Sequence, residues 1–166
     1  TTYVMIPAFI LYQSGLLDHV NALGEKQEIL SKFTSFLAAA VIVITSAIYY
    51  ADTRMKTEDY GFKGFPVAWN MLVFALFVVS PSPTFSLIFI LFTAALTFVP
   101  VIFIHPVRVK ILRPLNIAAC VVWGVSGLLA VYFNLDNPII VDILFVASNI
   151  YLFCVGFVLQ LLGKLR

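Results

Sequence analysis

The sequence contains few charged residues: Asp, Glu, Lys and Arg make up 11% of its 166 residues, whereas hydrophobic residues make up 62%. A soluble domain has about 25% charged residues, so the composition excludes a water-soluble globular domain and a disordered chain. Ten basic and eight acidic residues nearly balance, which argues against nucleic acid as a partner. The two cysteines, Cys120 and Cys154, lie in apolar runs and predict neither a disulfide framework nor a metal site.

The apolar character extends along the whole chain, whose mean hydropathy is +1.05. It predicts an all-α integral membrane protein, with residues 1–166 forming a single transmembrane domain, a bundle of about six transmembrane helices. Pro7 and Pro100 lie within predicted spans and are expected to kink them. The predicted spans are Thr1–Leu17, Thr34–Ala51, Val67–Ser80, Thr84–Ile104, Pro114–Phe133 and Ile139–Gly163.

The first apolar run, Thr1–Leu17, has no basic flank before it and no small-residue cleavage site after it. These features do not fit a signal peptide. Because the run opens at membrane depth without a flank, we expect that further residues precede it in the parent protein.

Basic residues predict the orientation in the membrane. If all six segments span, eight of the ten Lys and Arg residues fall on one side. Because cytoplasmic loops are enriched in Lys and Arg, loops 52–66 and 105–113 and the C-terminus are predicted to be cytoplasmic.

Charged residues concentrate at 52–59, within the sequence ADTRMKTEDYGFKGFPVAWN that spans residues 51–70. If the second helix continues to Asp59, acidic and basic side chains share helix faces at i, i+4 spacing, as in a solvated helix end with local ion pairs. Gly61, Gly64 and Pro66 are then expected to end the helix and bend the chain.

Aromatic residues alternate with charged residues in the same stretch, at Tyr60, Phe62, Phe65 and Trp69. A quaternary ammonium ligand requires aromatic ring faces with carboxylates nearby. A belt of aromatic residues at the membrane interface explains the pattern equally well. Asn70 enters the membrane beside Trp69, where the sequence offers it no local partner.

A second candidate stretch, FVPVIFIHPVRVKILRPLN, spans residues 98–116. Arg108 offers planar, bidentate donors that suit a phosphoryl group. His105, at the membrane edge, is either a general base or, as is commoner, a hydrogen-bonded cap. The excess of basic residues in cytoplasmic loops is the better explanation of Lys110 and Arg113.

These two stretches resemble the bacterial phosphatidylcholine synthases of the CDP-alcohol phosphotransferase superfamily, and the resemblance covers essentially the whole chain. It implies an enzyme of the bacterial inner membrane that faces the cytoplasm and uses a divalent metal, typically Mn²⁺. The implied reaction transfers a phosphatidyl group from CDP-diacylglycerol to choline, giving phosphatidylcholine and CMP. Membrane lipids are further expected partners, and a homodimer is left open.

The defining motif of that superfamily, D-G-x-x-A-R…G-x-x-x-D-x-x-x-D, does not occur in this chain. The resemblance implies that its catalytic and metal-binding aspartates lie upstream of Thr1, so no catalytic or metal residue is assigned here, and the chain alone is predicted to be inactive. The residues assigned to substrate binding are Arg54 and Lys56 (phosphate or orientation), Glu58 and Asp59 (the choline cation), Tyr60, Phe62 and Trp69 (an aromatic cage), Arg108 (phosphate), and Asn70 and His105.

Two other functions remain open from the sequence. A related CDP-alcohol phosphotransferase could use another acceptor such as serine. Alternatively, the chain could be a transport or structural bundle whose charged stretch is only a cytoplasmic helix end.

Overall fold

The structure, a computed structural model, describes residues 2–14, 25–52 and 61–165, without the side chains of 25–30. Within these residues the chain forms six helices and one two-stranded antiparallel sheet. In chain order the elements are α1 (Met5–Gln13), α2 (Glu25–Ala51), β1 (Gly61–Lys63), α3 (Trp69–Val79), α4 (Pro83–Leu96), β2 (Ile102–Ile104), α5 (Arg113–Tyr132) and α6 (Ile139–Leu161).

The predicted helical fold class is confirmed. Among the described residues, three helical segments are long and apolar enough to cross a membrane, namely Ser31–Ala51 of α2, the whole of α5 and the whole of α6. Helices α3 and α4 are also apolar but shorter, with 11 and 14 residues. At 1.5 Å per residue α4 covers only about 21 Å.

The predicted span Thr84–Ile104 is wrong in its second half, because α4 ends at Leu96 and the chain then forms β2. Pro100 accounts for the ending: its ring clashes with the carbonyl four residues earlier, which here belongs to Leu96. Pro100 therefore lies in a turn and not inside a kinked helix. Pro7 does lie in a helix, but in the first turn of α1, where no helical hydrogen bond is lost.

The chain divides into two compact units. Unit 1 comprises Thr1–Thr53 and Val67–Phe98 and contains the first four helices. In it α2 contacts α1 and α4, and α1 contacts α3. Helix α2 ends at Ala51, so the predicted continuation to Asp59 is not observed at Asp52, and residues 53–60 lie outside the described residues.

Trp69 anchors α3 within unit 1. Its side chain is completely buried, and its indole N–H donates to the Ser46 hydroxyl at 2.9 Å. The Ser46 hydroxyl in turn donates to the Ile42 carbonyl at 2.6 Å, one turn earlier on α2. The large apolar ring and its one polar atom are thus both accommodated, as a buried tryptophan requires.

Unit 2 comprises Arg54–Pro66 and Val99–Arg166 and contains the sheet and the last two helices. Helices α5 and α6 pack as an antiparallel pair joined by a short turn. The Trp123 indole N–H of α5 donates to the Asn149 side-chain oxygen of α6 at 3.2 Å. Asn149 thus has the helix-to-helix bonding role that polar residues commonly have in membrane bundles.

We predict that Trp69→Phe destabilises the protein by about 1–3 kcal/mol, because the Ser46 hydroxyl loses its donor and the smaller ring leaves a cavity at a completely buried position. Unfolding in a graded detergent–denaturant titration measures the change. Ser46→Ala combined with Trp69→Phe should cost less than the sum of the two single changes. Ser80→Ala, which removes an exposed hydroxyl of the same unit, is the control. Equal losses for Trp69→Phe and Ser80→Ala would contradict the assignment.

Candidate functional site

The β1–β2 sheet joins the two stretches on which the resemblance rests, although α3 and α4 lie between its strands in the chain. Its strands pair Gly61 with Ile104, Phe62 with Phe103 and Lys63 with Ile102. The pairing continues by one residue beyond the strands, where the Gly64 N–H donates to the Val101 carbonyl at 2.8 Å. Gly64 has a φ of +77°, a conformation that favours glycine. The bend predicted at these glycines is therefore real, but it ends a strand and not a helix.

Strand β2 lies directly against the backbone of α6 at Gly156. A Cβ atom added to Gly156 would overlap the Ile102 carbonyl oxygen and would lie 3.1 Å from the Ile104 nitrogen. Only a glycine leaves room for this contact, because both sides of it are main chain that cannot rotate away. The position of β2, and with it that of β1, therefore depends on this residue.

One turn further along α6, Gln160 binds the main chain just before β2. Its side-chain oxygen accepts a hydrogen bond from the Ile102 N–H at 3.0 Å, and its side-chain nitrogen donates to the Pro100 carbonyl at 3.0 Å. Non-helical backbone in an apolar protein must find such partners internally. Gln160 thus satisfies the main chain where α4 has ended and β2 begins.

A basic turn follows β2 and leads into α5. The His105 carbonyl accepts hydrogen bonds from the N–H groups of Arg108 and Val109, both at 3.1 Å. Val109 is buried in an apolar cluster, while its neighbours Arg108 and Lys110 are exposed. That cluster consists of Ile102, Ile104, Val109, Val155, Leu159 and Leu165. The buried valine therefore fixes the turn and directs the cations on either side of it outward.

Asn116, which is completely buried in the first turn of α5, holds the other end of the basic turn. Its side-chain nitrogen donates to the Ile111 carbonyl at 3.0 Å, and its oxygen accepts from the Tyr151 hydroxyl of α6 at 2.7 Å. Because each of the two polar atoms has a hydrogen-bond partner, the cost of burying this amide is offset. Residues 105–113 are therefore tied to α6 on both sides.

Phe62 of β1 and His105, the residue that follows β2, meet at one end of the β1–β2 sheet. Their rings are roughly parallel, with centroids 6.4 Å apart and an interplanar angle of 29°, and both side chains are half-buried. His105 Nδ1 accepts a long hydrogen bond of 3.4 Å from the Val107 N–H. This contact favours the capping interpretation of His105 over the general-base interpretation. Two of the residues assigned to substrate binding are thus neighbours.

Behind them, three phenylalanines fill the space between the β1–β2 sheet and α6. Phe103 packs edge-to-face on Phe153 at a centroid distance of 5.2 Å and on Phe65 at 5.9 Å. Such pairs stabilise by about 1 kcal/mol beyond the area they bury. Phe65, one of the aromatic residues that pointed to either a cage or an interfacial belt, is almost fully buried in this cluster.

Charge is separated along unit 2. Among the described residues of this unit, the basic ones lie on β1, on the basic turn, at the start of α5 and after the end of α6. In that order they are Lys63, then Arg108 and Lys110, then Arg113, and finally Lys164. Asp136 and Asp142, the acidic ones, lie at the opposite end, in the α5–α6 turn and the first turn of α6. Over a 20-residue helix the two ends are about 30 Å apart. This distribution gives unit 2 a cationic end, and the β1–β2 sheet lies at that end.

The other assigned residues are distributed as follows. Trp69 is buried within unit 1, with its indole nitrogen bound to Ser46, and Asn70, its neighbour on α3, is exposed. The remaining five, Arg54, Lys56, Glu58, Asp59 and Tyr60, lie outside the described residues.

No group of three or more His, Cys, Asp and Glu side chains that could hold a metal ion occurs within residues 2–14, 25–52 and 61–165. The described side chains therefore do not fit the divalent ion that the resemblance implies.

Sequence reasoning identified neither Gly156 nor Gln160 as a residue that positions the site. The available signal was a small residue and an amide one turn apart on the same helix, opposite a run interrupted by Pro100. That spacing also fits ordinary helix packing in membranes, so it did not point to a strand.

Curated proteins named phosphatidylcholine synthase are similar to the chain over nearly all of its length. The relative from Rhizobium meliloti is 48% identical over 99% of the chain, and the relative from Brucella melitensis is 44% identical over 99%. The relative from Pseudomonas aeruginosa is 37% identical over 89%. The chain spans 63%, 55% and 57% of these relatives, respectively. No family model and no solved structure matches it.

We predict that Gly156→Ala destabilises the protein by about 1–3 kcal/mol, because the added methyl group overlaps the main chain of β2. Gly124→Ala, in α5, is the matched control: its added methyl group would meet no atom within 4 Å. Alanine is also the better helix former, by roughly 0.5–1 kcal/mol, so this change should be neutral or stabilising. Thermal unfolding of the purified variants in detergent measures both, and a Gly156→Ala protein as stable as the control would refute the close contact.

Proposed function

Because the chain is a homologous segment of the phosphatidylcholine synthases, we propose that its parent protein transfers a phosphatidyl group from CDP-diacylglycerol to choline. The observation that carries this proposal is the 44–48% identity, over 96–99% of the chain, to curated proteins with that name. The shared name does not favour a transport or structural bundle. A serine-using relative is the remaining alternative, and the experiment below separates it.

In the proposed reaction, the hydroxyl oxygen of choline forms a bond to the phosphorus of the phosphatidyl group. The bond between that phosphorus and the CMP oxygen breaks, the hydroxyl proton passes to a base, and CMP leaves. Such a transfer depends mainly on positioning and on stabilisation of charge on the phosphoryl oxygens. The chain's own contribution to it is cationic: Arg108 is exposed on a turn fixed from both sides, where its guanidinium can bind a phosphate.

The proposed acceptor site uses the stretch around β1. Glu58 and Asp59 would balance the charge of choline, and Tyr60 and Phe62 would supply ring faces, as quaternary ammonium recognition requires. Arg54 and Lys56 would bind or orient the phosphates. Trp69 is the weakest member of the proposed cage, since its side chain is completely buried.

We propose that this site faces the cytoplasm from the bacterial inner membrane. The support is that the described basic residues of unit 2 cluster at its cationic end, because cytoplasmic segments are the ones enriched in Lys and Arg. The cofactor proposed is Mn²⁺. Because the described residues offer no cluster to hold it, its ligands are placed elsewhere in the parent protein, and no step is assigned to it here.

The function is tested with the full-length protein, purified and mixed with vesicles that contain CDP-diacylglycerol and with Mn²⁺. We predict that CMP release requires choline and is accompanied by equimolar phosphatidylcholine. Serine in place of choline should release CMP at the background rate. Release that depends on serine, or that ignores choline, would contradict the proposal.

We predict that Arg108→Ala lowers kcat/KM for CDP-diacylglycerol by about 10–100-fold, the loss expected for one charge-assisted hydrogen bond. Lys110→Ala is the matched control, since Lys110 is an exposed cation on the same turn that is assigned only to orientation in the membrane. It should change kcat/KM by less than about threefold. Equal effects of the two substitutions would mean that Arg108 contributes only to the general positive charge of this surface.

A further inference from the structure

We infer that Gln160 is a positioning residue for the proposed transfer, because its side-chain amide fixes the β1–β2 sheet, which carries Phe62 and leads directly into His105. The inference rests on the proposed function for the part that concerns catalysis. It assigns to the last turns of α6 a task beyond packing: they determine where the substrate-binding stretches begin.

The first step is the fit between the amide and the main chain. The segment after α4 presents a carbonyl acceptor at Pro100 and an N–H donor at Ile102, and Gln160 supplies one donor and one acceptor at 3.0 Å each. A side-chain amide suits this pair of main-chain groups because it holds a donor and an acceptor on the same carbon atom. An apolar side chain of the same length would leave two main-chain groups without these partners, in a part of the protein where non-helical backbone needs them.

The second step is the path from Gln160 to the site. Ile102, which Gln160 binds, pairs with Lys63 on β1, and β2 ends two residues later at Ile104. His105 follows at once and stacks on Phe62 of β1. A shift of β2 on α6 therefore moves both rings together, and it also moves the turn that carries Arg108.

The third step separates positioning from general stability. Asn149 is a second side-chain amide on α6, and it bonds the Trp123 indole of α5 and the Phe145 carbonyl of its own helix. Replacing Asn149 removes comparable hydrogen bonds from the same helix, but it removes none to the β1–β2 sheet or to the basic turn. Asn149→Leu is therefore a matched control for Gln160→Met, and both changes keep the approximate size of the side chain.

The kinetic experiment uses the full-length protein in CDP-diacylglycerol vesicles with choline and Mn²⁺. A displaced binding residue raises KM, whereas a loss of folded protein lowers only the maximal rate. We expect Gln160→Met to lower kcat/KM for choline at least tenfold, partly through a higher KM, because small misplacements are costly in positioned reactions. Asn149→Leu should leave both KM values within about twofold of those of the unmodified protein. Unchanged KM values in Gln160→Met overturn the positioning role.

A second measurement is independent of activity. Amide hydrogen exchange of the full-length protein reports the protection of residues 61–64 and 101–105, which contain β1 and β2. Gln160→Met should speed exchange there by about tenfold or more, and Asn149→Leu should not. Faster exchange in a protein that makes no phosphatidylcholine would refute the proposed function alone. Unchanged exchange would refute the role of Gln160, whatever the enzyme does.

Discussion

The contact between the main chain of β2 and the glycine face of α6 is the constraint on which unit 2 depends. A strand can approach a helix this closely only where no Cβ intervenes, and Gly156 provides that gap. Once the strand is there, its main-chain polar groups must be paired, because burying an N–H or C=O group without a hydrogen bond costs free energy. The pairing comes from β1 on one edge and from Gln160 at the start of the strand. Packing and hydrogen bonding thus act at the same place, and the basic turn that follows inherits its position from both.

Helix positions could be predicted well where the sequence marks both ends. Helices α5 and α6 lie within two residues of the predicted Pro114–Phe133 and Ile139–Gly163, because long apolar runs there are bounded by turn residues. The strand Ile102–Ile104 could not be found, since its three residues are as apolar as α4 and no charged residue separates the two elements. Pro100 was the signal. It was interpreted as a kink, although its ring acts four residues back and ends the helix at Leu96.

The candidate site was predictable in its composition but not in its support. Phe62 and His105 are 43 residues apart in the chain, and composition alone marked the stretches that contain them as rich in polar or charged groups. Their adjacency follows from strand pairing, which three-residue strands do not announce in sequence. Trp69 shows the opposite error: an aromatic residue beside charged ones fits an exposed binding role, yet a hydroxyl on α2 gave its indole nitrogen a partner in the interior of unit 1. Sequence patterns identify which residues are unusual, whereas packing decides which of them face a ligand.

The α5–α6 pair has a consequence for how the protein enters its bilayer during synthesis. Its tip contains Asp136 and is followed by Asp142, whose carboxylate accepts from the Asn137 side-chain amide at 2.9 Å, and no Lys or Arg occurs between Pro114 and Gly163. If the cationic end of unit 2 faces the cytoplasm, as proposed, only these two acids and no basic residue would have to cross the membrane with the tip of the pair. Arg113 and Lys164, which flank the two helices, would then stay on the cytoplasmic side and oppose translocation of the chain beyond them.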